Sequence, residues 1–128
     1  MPLASKLGIR LGMAVYVKGA PPDYFKQLEP LPDGVTFVSR LSTNTDLVHV
    51  FSLRRAELAR LLSTYRAKLP GAAAVWASWP KKASKVPTDL TEDIIRELAL
   101  PLGYVDVKVC AVTDVWSGLK LVVRKELR

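Results

Sequence analysis

The segment from Asp46 to Trp79 limits what this chain can fold into more than any other. Asp46-Leu-Val-His-Val-Phe51 is almost continuously apolar, the pattern of a strand covered on both faces in the middle of a parallel sheet. Ala72-Ala-Ala-Val-Trp-Ala-Ser-Trp79 reads as a second interior strand that ends before Pro80. Between them Leu58, Leu61, Leu62, Tyr65 and Leu69 recur at helical spacing, and Arg54, Arg55, Arg60, Arg66 and Lys68 fall mostly between those positions. Ser52 is expected to cap this helix and Pro70-Gly71 to stop it. Strand, helix and strand in succession predict a parallel pair joined by a right-handed crossover.

The flanking segments extend this unit. Met13 to Val17 reads as a strand closed by Gly19-Ala-Pro-Pro22, followed by a brief helix over Asp23 to Leu28 and a second strand at Val35 to Val38. Ser39 to Thr45 is a polar loop. After the basic loop Lys81-Lys-Ala-Ser-Lys-Val-Pro87, Thr88 is expected to begin a helix whose first turn carries Asp89, Glu92 and Asp93 and whose buried stripe is Leu90, Ile94, Ile95 and Leu98. Two strands close the chain: Val105 to Val112, with Val105, Val107, Val109 and Ala111 expected on one face, and Leu119 to Arg124, with Leu119, Leu121 and Val123 on one face. A turn-prone Thr113-Asp114 and Ser117-Gly118 region between them predicts an antiparallel edge hairpin. The expected architecture is three-layer α/β with a mostly parallel sheet and that hairpin at one edge. A split α+β sandwich, with the hairpin outside the main sheet, is the alternative.

A chain of 128 residues suits one hydrophobic core, so one domain over residues 1–128 is expected. Every apolar run is broken well short of the roughly 20 residues a membrane helix needs. No apolar stretch follows a basic start at the amino end, so neither a secretory leader nor a membrane partner is expected, and a cytoplasmic location follows. Cys110 is the sole cysteine and His49 the sole histidine, which excludes an internal disulfide and leaves too few soft ligands for a zinc site. The net charge of +7 favours anionic partners: an acidic protein, a phosphate-bearing small molecule or nucleic acid. Nucleic acid is the weakest of these, because no reading motif is present and the basic residues are spread along the chain.

Trp79-Pro-Lys-Lys-Ala-Ser84, Thr88-Asp-Leu-Thr91 and Val109-Cys-Ala-Val112 through Trp116-Ser-Gly-Leu119 resemble an uncharacterised bacterial family of short proteins, a domain of unknown function. That resemblance spans nearly the whole chain and implies no activity. The order of elements is also similar to the carboxyl-terminal part of a Rossmann-like methyltransferase. In that fold a glycine-rich turn after strand one admits the cofactor and an acidic residue at the end of strand two meets its ribose. Here the two places read Lys18-Gly-Ala-Pro-Pro22 and Ser39-Arg40. The prolines remove backbone donors and Arg40 has no acceptor, so the resemblance implies the fold without the cofactor. A dinucleotide fingerprint G-x-G-x-x-G is also absent, and no cofactor is expected.

Ligands of parallel sheets tend to enter beyond the carboxyl ends of the strands. Lys18, Arg54, Trp79, Lys81, Lys82, Lys85 and Thr88 fall at such ends or just after them, and they form the candidate anion or partner site. The lysines would neutralise charge, Trp79 would offer a stacking face, and Thr88 would donate with the amides of a helix start. The competing reading is a solvated basic loop anchored by a buried Trp79. His49 lies mid-strand, where a packed, hydrogen-bonded role is expected, and Cys110 reads as a small buried hydrophobe rather than a nucleophile. Trp116 is either a core plug or an interaction anchor. Ser84 and Ser117 match no nucleophile motif, and the basic residues Arg124, Lys125 and Arg128 read as terminal solvation. Two functions fit. One is a binding or adaptor protein presenting its basic strand-end surface, and the other is an enzyme acting on a small anionic substrate with Asp89 or Asp114 moving a proton.

Overall fold

In the computed structural model, which describes residues 1–128, strands and helices alternate as predicted, with one further helix at the amino end. The elements are α1 (Leu3–Leu7), β1 (Ala14–Lys18), α2 (Tyr24–Gln27), β2 (Thr36–Phe37), β3 (Leu47–Phe51), α3 (Arg55–Lys68), β4 (Ala74–Pro80), α4 (Glu92–Ala99), β5 (Tyr104–Ala111) and β6 (Trp116–Val123). All six strands join one sheet in the order β2-β1-β3-β4-β6-β5. The first four are parallel neighbours, whereas β6 runs antiparallel to both β4 and β5. Because Ala77 of β4 pairs with Leu119 of β6, the hairpin extends the main sheet, and the α+β alternative is not formed.

β3 is buried along its whole length, as its unbroken apolar run requires. Val48 and Val50 enter a core with Leu58, Leu61, Leu62 and Tyr65 of α3 and Ile95 and Ala99 of α4. The other face carries Leu47 and Phe51 into a second core with Val15, Trp76, Val112, Tyr24, Leu28 and three residues at the amino end, Ala4, Leu7 and Ile9. Each fully buried leucine here contributes about 1.5–3 kcal/mol of transfer free energy.

α1 was not predicted, because its five residues are too short to display a helical period. Its end is set by Gly8 at φ 77°. The Gly8 N–H donates to Ser5 O at 3.1 Å and the Ile9 N–H to Ala4 O at 3.0 Å, the paired bonds of a Schellman cap. The Trp76 indole N–H donates to Leu7 O at 2.7 Å and pins this short helix to the sheet.

Three local expectations are corrected. Ser52 does not cap α3. Its N–H continues the sheet by donating to Ser78 O at 3.1 Å, and its hydroxyl donates to Glu57 Oε1 at 2.7 Å. The Arg55 N–H at the start of α3 instead donates to Asp89 Oδ1 at 2.6 Å, a cap supplied from the segment before α4. Thr88 does not begin α4. Its hydroxyl donates to Leu53 O at 2.6 Å, and the helix starts three residues later with Thr91 accepting from the Ile94 N–H at 3.2 Å. In β5 a bulge between Asp106 and Lys108 shifts the register, so Val105 pairs with Val122 but Val109 pairs with Leu119. Val122 and Leu119 point to opposite faces, and the bulge therefore separates Val105 from Val109 and Ala111.

Asp89→Ala is expected to destabilise the protein by about 1 kcal/mol by leaving the Arg55 N–H without an acceptor. Amide exchange should accelerate at the first turn of α3 while α4, capped by Thr91, keeps its protection. Unchanged exchange at Arg55 would show that Asp89 does not cap α3.

Candidate functional site

With this strand order the chain reverses direction across the sheet between β1 and β3, and the carboxyl ends of those strands bound the place where an open α/β sheet ordinarily takes a ligand. The chain packs closely on itself beside that place. Gly19 has φ 75°, and a Cβ on it would lie 2.7 Å from Phe51 O, so the turn after β1 leans directly on the end of β3. Tyr24, at the start of α2, packs its ring against both His49 and Phe51, with centroids 5.1 Å away in each case. Phe51 stacks on His49 at 4.2 Å, and Trp116 closes against Phe51 at 5.2 Å.

A chain of hydrogen bonds runs through this aromatic cluster. Tyr24 Oη lies 2.6 Å from His49 Nδ1, and His49 Nε2 lies 2.7 Å from Ser78 Oγ. Neutral imidazole has one donor and one acceptor, so one of the two hydroxyls donates to it and the other accepts. Burial lowers the His49 pKa to about 3 and pushes the Tyr24 phenol well above its ordinary value. A serine bonded to a histidine is the arrangement of an activated nucleophile, but Tyr24, His49 and Ser78 are all 0% exposed and no substrate reaches them. The cluster holds the structure together. Both ring nitrogens of His49 are occupied, which leaves none for Cys110, and burial raises the Cys110 thiol pKa away from reactivity.

A groove at this edge lies beside the aromatic cluster. It has a volume of about 580 Å³ and is walled by Pro21, Pro22, Asp23 and Gln27 after β1, by Val112 to Trp116 between β5 and β6, and by Met1, Leu3 and Lys6. Asp23, Asp114 and Lys6 are its charged groups. Thr113 shapes the turn by accepting from the N–H groups of Val115 and Trp116 at 3.1 and 3.0 Å. Trp116 is half-buried: it packs against Phe51 at the edge of the core and also lines the groove. Nothing in the sequence signalled this groove, because one wall is the unpredicted amino-terminal helix.

Of the candidate residues, Lys18 ends β1, Arg54 precedes α3, and Lys81, Lys82 and Lys85 follow β4, so the topology puts these five cations along the carboxyl edge. Lys81 is tied to the groove wall through its N–H, which donates to Val115 O at 2.7 Å. None of the five forms an ion pair, since the ion pairs of the structure engage only Arg55, Arg96 and Arg124. The other two candidates stand apart. Trp79 is 8% exposed and packs in the core beneath α3 and α4, so it takes the anchoring role and has no free stacking face. Thr88 is engaged by Leu53 O and by the Leu90 N–H. Asp89 is likewise committed to the start of α3, which leaves Asp114 as the carboxylate of the enzyme reading that stands near the basic loop.

The sequence matches no protein-family model and shows no significant similarity to a curated protein. Its fold is nevertheless shared with solved methyltransferases. A SAM-dependent methyltransferase from Aquifex aeolicus superposes with a TM-score of 0.71 at 11% identity, covering 94% of this chain and 87% of that one. A putative type 11 methyltransferase from Sulfolobus solfataricus gives 0.68 at 15% identity, covering 96% and 90%. The magnesium protoporphyrin IX methyltransferase from Synechocystis PCC 6803 with bound SAH gives 0.58 at 10% identity, covering 94% and 78%. At these identities the likeness establishes the fold alone, the Rossmann-like α/β sheet expected from the order of elements, and it extends over most of the first two of those chains rather than over a carboxyl-terminal part of them.

The buried imidazole has a consequence for acid stability. The unfolded chain protonates His49 near pH 6.5, whereas the folded chain resists until about pH 3. Between these values the unfolded state binds more protons, so stability falls as pH falls, by up to about 1.4 kcal/mol per pH unit. Urea unfolding between about pH 6.5 and 5, above the carboxylate range, should show this slope in the wild type and a flatter one in His49→Gln. Equal slopes would mean that His49 titrates normally in the folded protein.

Proposed function

We propose that this chain is a binding or adaptor protein that uses a methyltransferase fold without its cofactor crevice, and that its basic carboxyl edge receives an anionic partner. The observation that carries this reading is the contact between the turn after β1 and the end of β3, with Tyr24 and Phe51 occupying the switch point. Pro21 and Pro22 in the turn and Arg40 after β2 point the same way. Lys18, Arg54, Lys81, Lys82 and Lys85 supply unneutralised charge at the rim, outside the groove, whose own charged side chains are Lys6, Asp23 and Asp114. An acidic protein surface or a phosphate-bearing small molecule laid on the rim suits that arrangement.

A second reading is catalysis on a small anionic substrate, and the shared methyltransferase fold favours it over an adaptor. In this reading Asp114 accepts a proton from a substrate held in the groove, with Lys6 and the Lys81 loop offsetting its charge.

Calorimetric titration tests the closed crevice. S-adenosylmethionine is expected to give no saturable heat, and a stoichiometric signal would overturn the claim that the crevice is closed. For the partner, capture from native lysate is compared between wild type and Lys81→Ala/Lys82→Ala/Lys85→Ala. Exposed charges contribute about 0.2–1 kcal/mol each, so the triple variant should weaken a rim-bound anionic partner roughly tenfold and reduce its salt dependence. Unchanged recovery of every specific partner by the folded variant would reject the site.

A further inference from the structure

At the opposite, amino-terminal edge of the parallel strands lies a second concentration of positive charge that the function above does not use. The bulge in β5 adds to it. With regular pairing Val107 would stand opposite Lys120, but the shift places Lys108 there, on the face that carries α1. Like charges directly opposite on neighbouring strands repel. Lys120 is half-buried, and its Nζ lies 3.3 Å from where a Cβ on Gly8 would be, in space left open by that glycine. Arg10, in the segment between α1 and β1, and Arg128 line a groove of about 230 Å³ together with Lys120.

Internal structure accounts for only some of these cations. Lys108 Nζ approaches Lys6 O at 3.5 Å, a favourable place for a cation near the carboxyl end of α1, and the Arg128 Nε–H donates to Val123 O at 2.7 Å. The Lys120 ammonium and the Arg10 guanidinium have no acceptor in the structure and no carboxylate within ion-pair distance. Asp46, the one acidic residue lining the groove, accepts from the Ala14 N–H at 2.8 Å rather than from a cation. Burial first, then Lys108 and Arg10, lower the pKa of Lys120. This is the electrostatic condition that an arriving anion relieves.

We infer that Arg10 and Lys120, with Arg128 and Lys108 at their flanks, form a binding site for the phosphate group of a small molecule. The groove is smaller than the usual range for drug-sized ligands, so it suits one tetrahedral oxyanion with a compact substituent. The site lies at the edge of the sheet away from Lys81, Lys82 and Lys85 and does not depend on the carboxyl-edge reading.

Nuclear magnetic resonance titration of the full chain tests it, with inorganic phosphate in one arm and methyl phosphate in the other to separate a free ion from an ester. Saturable shifts are expected at Gly8, Arg10, Met13 and Lys120, with a rise in the pKa of the Lys120 ammonium when the anion is bound. Lys120→Gln should weaken binding roughly tenfold, and Arg10→Gln, which alters only an exposed side chain, should weaken it in the same direction if the first variant proves unstable. The Lys81→Ala/Lys82→Ala/Lys85→Ala variant should bind as the wild type does. Shifts that do not saturate, that spread over all basic residues, or that persist unchanged in Arg10→Gln would overturn the site.

Discussion

β3 has no face open to water, and the need to cover it on both sides governs most of what surrounds it. On one side α3 and α4 lay apolar stripes across the sheet in the ordinary way. On the other the chain supplies only the five residues of α1 and the four of α2, too few to cover the strands with aliphatic stripes. Large aromatic residues complete that layer, with Tyr24, Phe51 and Trp76 filling the space. Their polar atoms need partners in a dry interior, and Leu7 O serves the Trp76 indole while His49 serves the Tyr24 hydroxyl. A histidine in the middle of an otherwise apolar strand is thus a consequence of how thin this layer is.

The same packing shapes the carboxyl edge of the sheet. α2 begins with Tyr24, whose ring packs on His49 and on Phe51 at the end of β3. The groove between Pro21 to Asp23 and Val112 to Trp116 lies beside this cluster. Shared architecture and changed access are compatible, because backbone topology follows from the buried faces of β3 and β4 while the crevice depends on a few side chains at the strand ends.

The β3-α3-β4 unit and the edge hairpin were legible in the sequence because long elements with two buried faces, or one, carry strong periodicity. What was not legible was set by tertiary contacts. Asp89 looks like a first-turn acid of α4, but its oxygen reaches the start of α3, a segment 34 positions earlier. Trp76 and Trp79 are three apart on a strand, so they point to opposite faces, and only an exposed face at β4 would have left Trp79 available as a ligand platform. The β5 bulge has no glycine or proline to announce it, and the alternating valines from Val105 suggest an uninterrupted strand. The missed register shift concealed the meeting of Lys108 and Lys120, and the unpredicted α1, whose Leu3 and Lys6 line it, concealed the larger groove. Candidate cations at the carboxyl edge were legible because any residue just after a parallel strand lands there.

The acidic residues are used unevenly. Arg96 alone gathers Glu92, Asp93 and Asp106, and holds the Asp106 carboxyl below its ordinary range. Glu97 pairs with Arg55, Asp89 caps α3, Glu57 accepts from Ser52, and Asp46 accepts from Ala14. Most of these contacts secure α3 and α4 against the sheet or against each other. With so many carboxylates engaged there, a chain with a net charge of +7 leaves cations without an ion pair beyond the strand ends, at Lys18, Lys81, Arg10 and Lys120, as well as at Arg60 and Lys68 on α3. Replacing a carboxylate such as Asp106 would alter the field at the edges only weakly, because it stands beside Arg96 on the α4 side of the sheet and its charge is screened by salt over the distance to either edge.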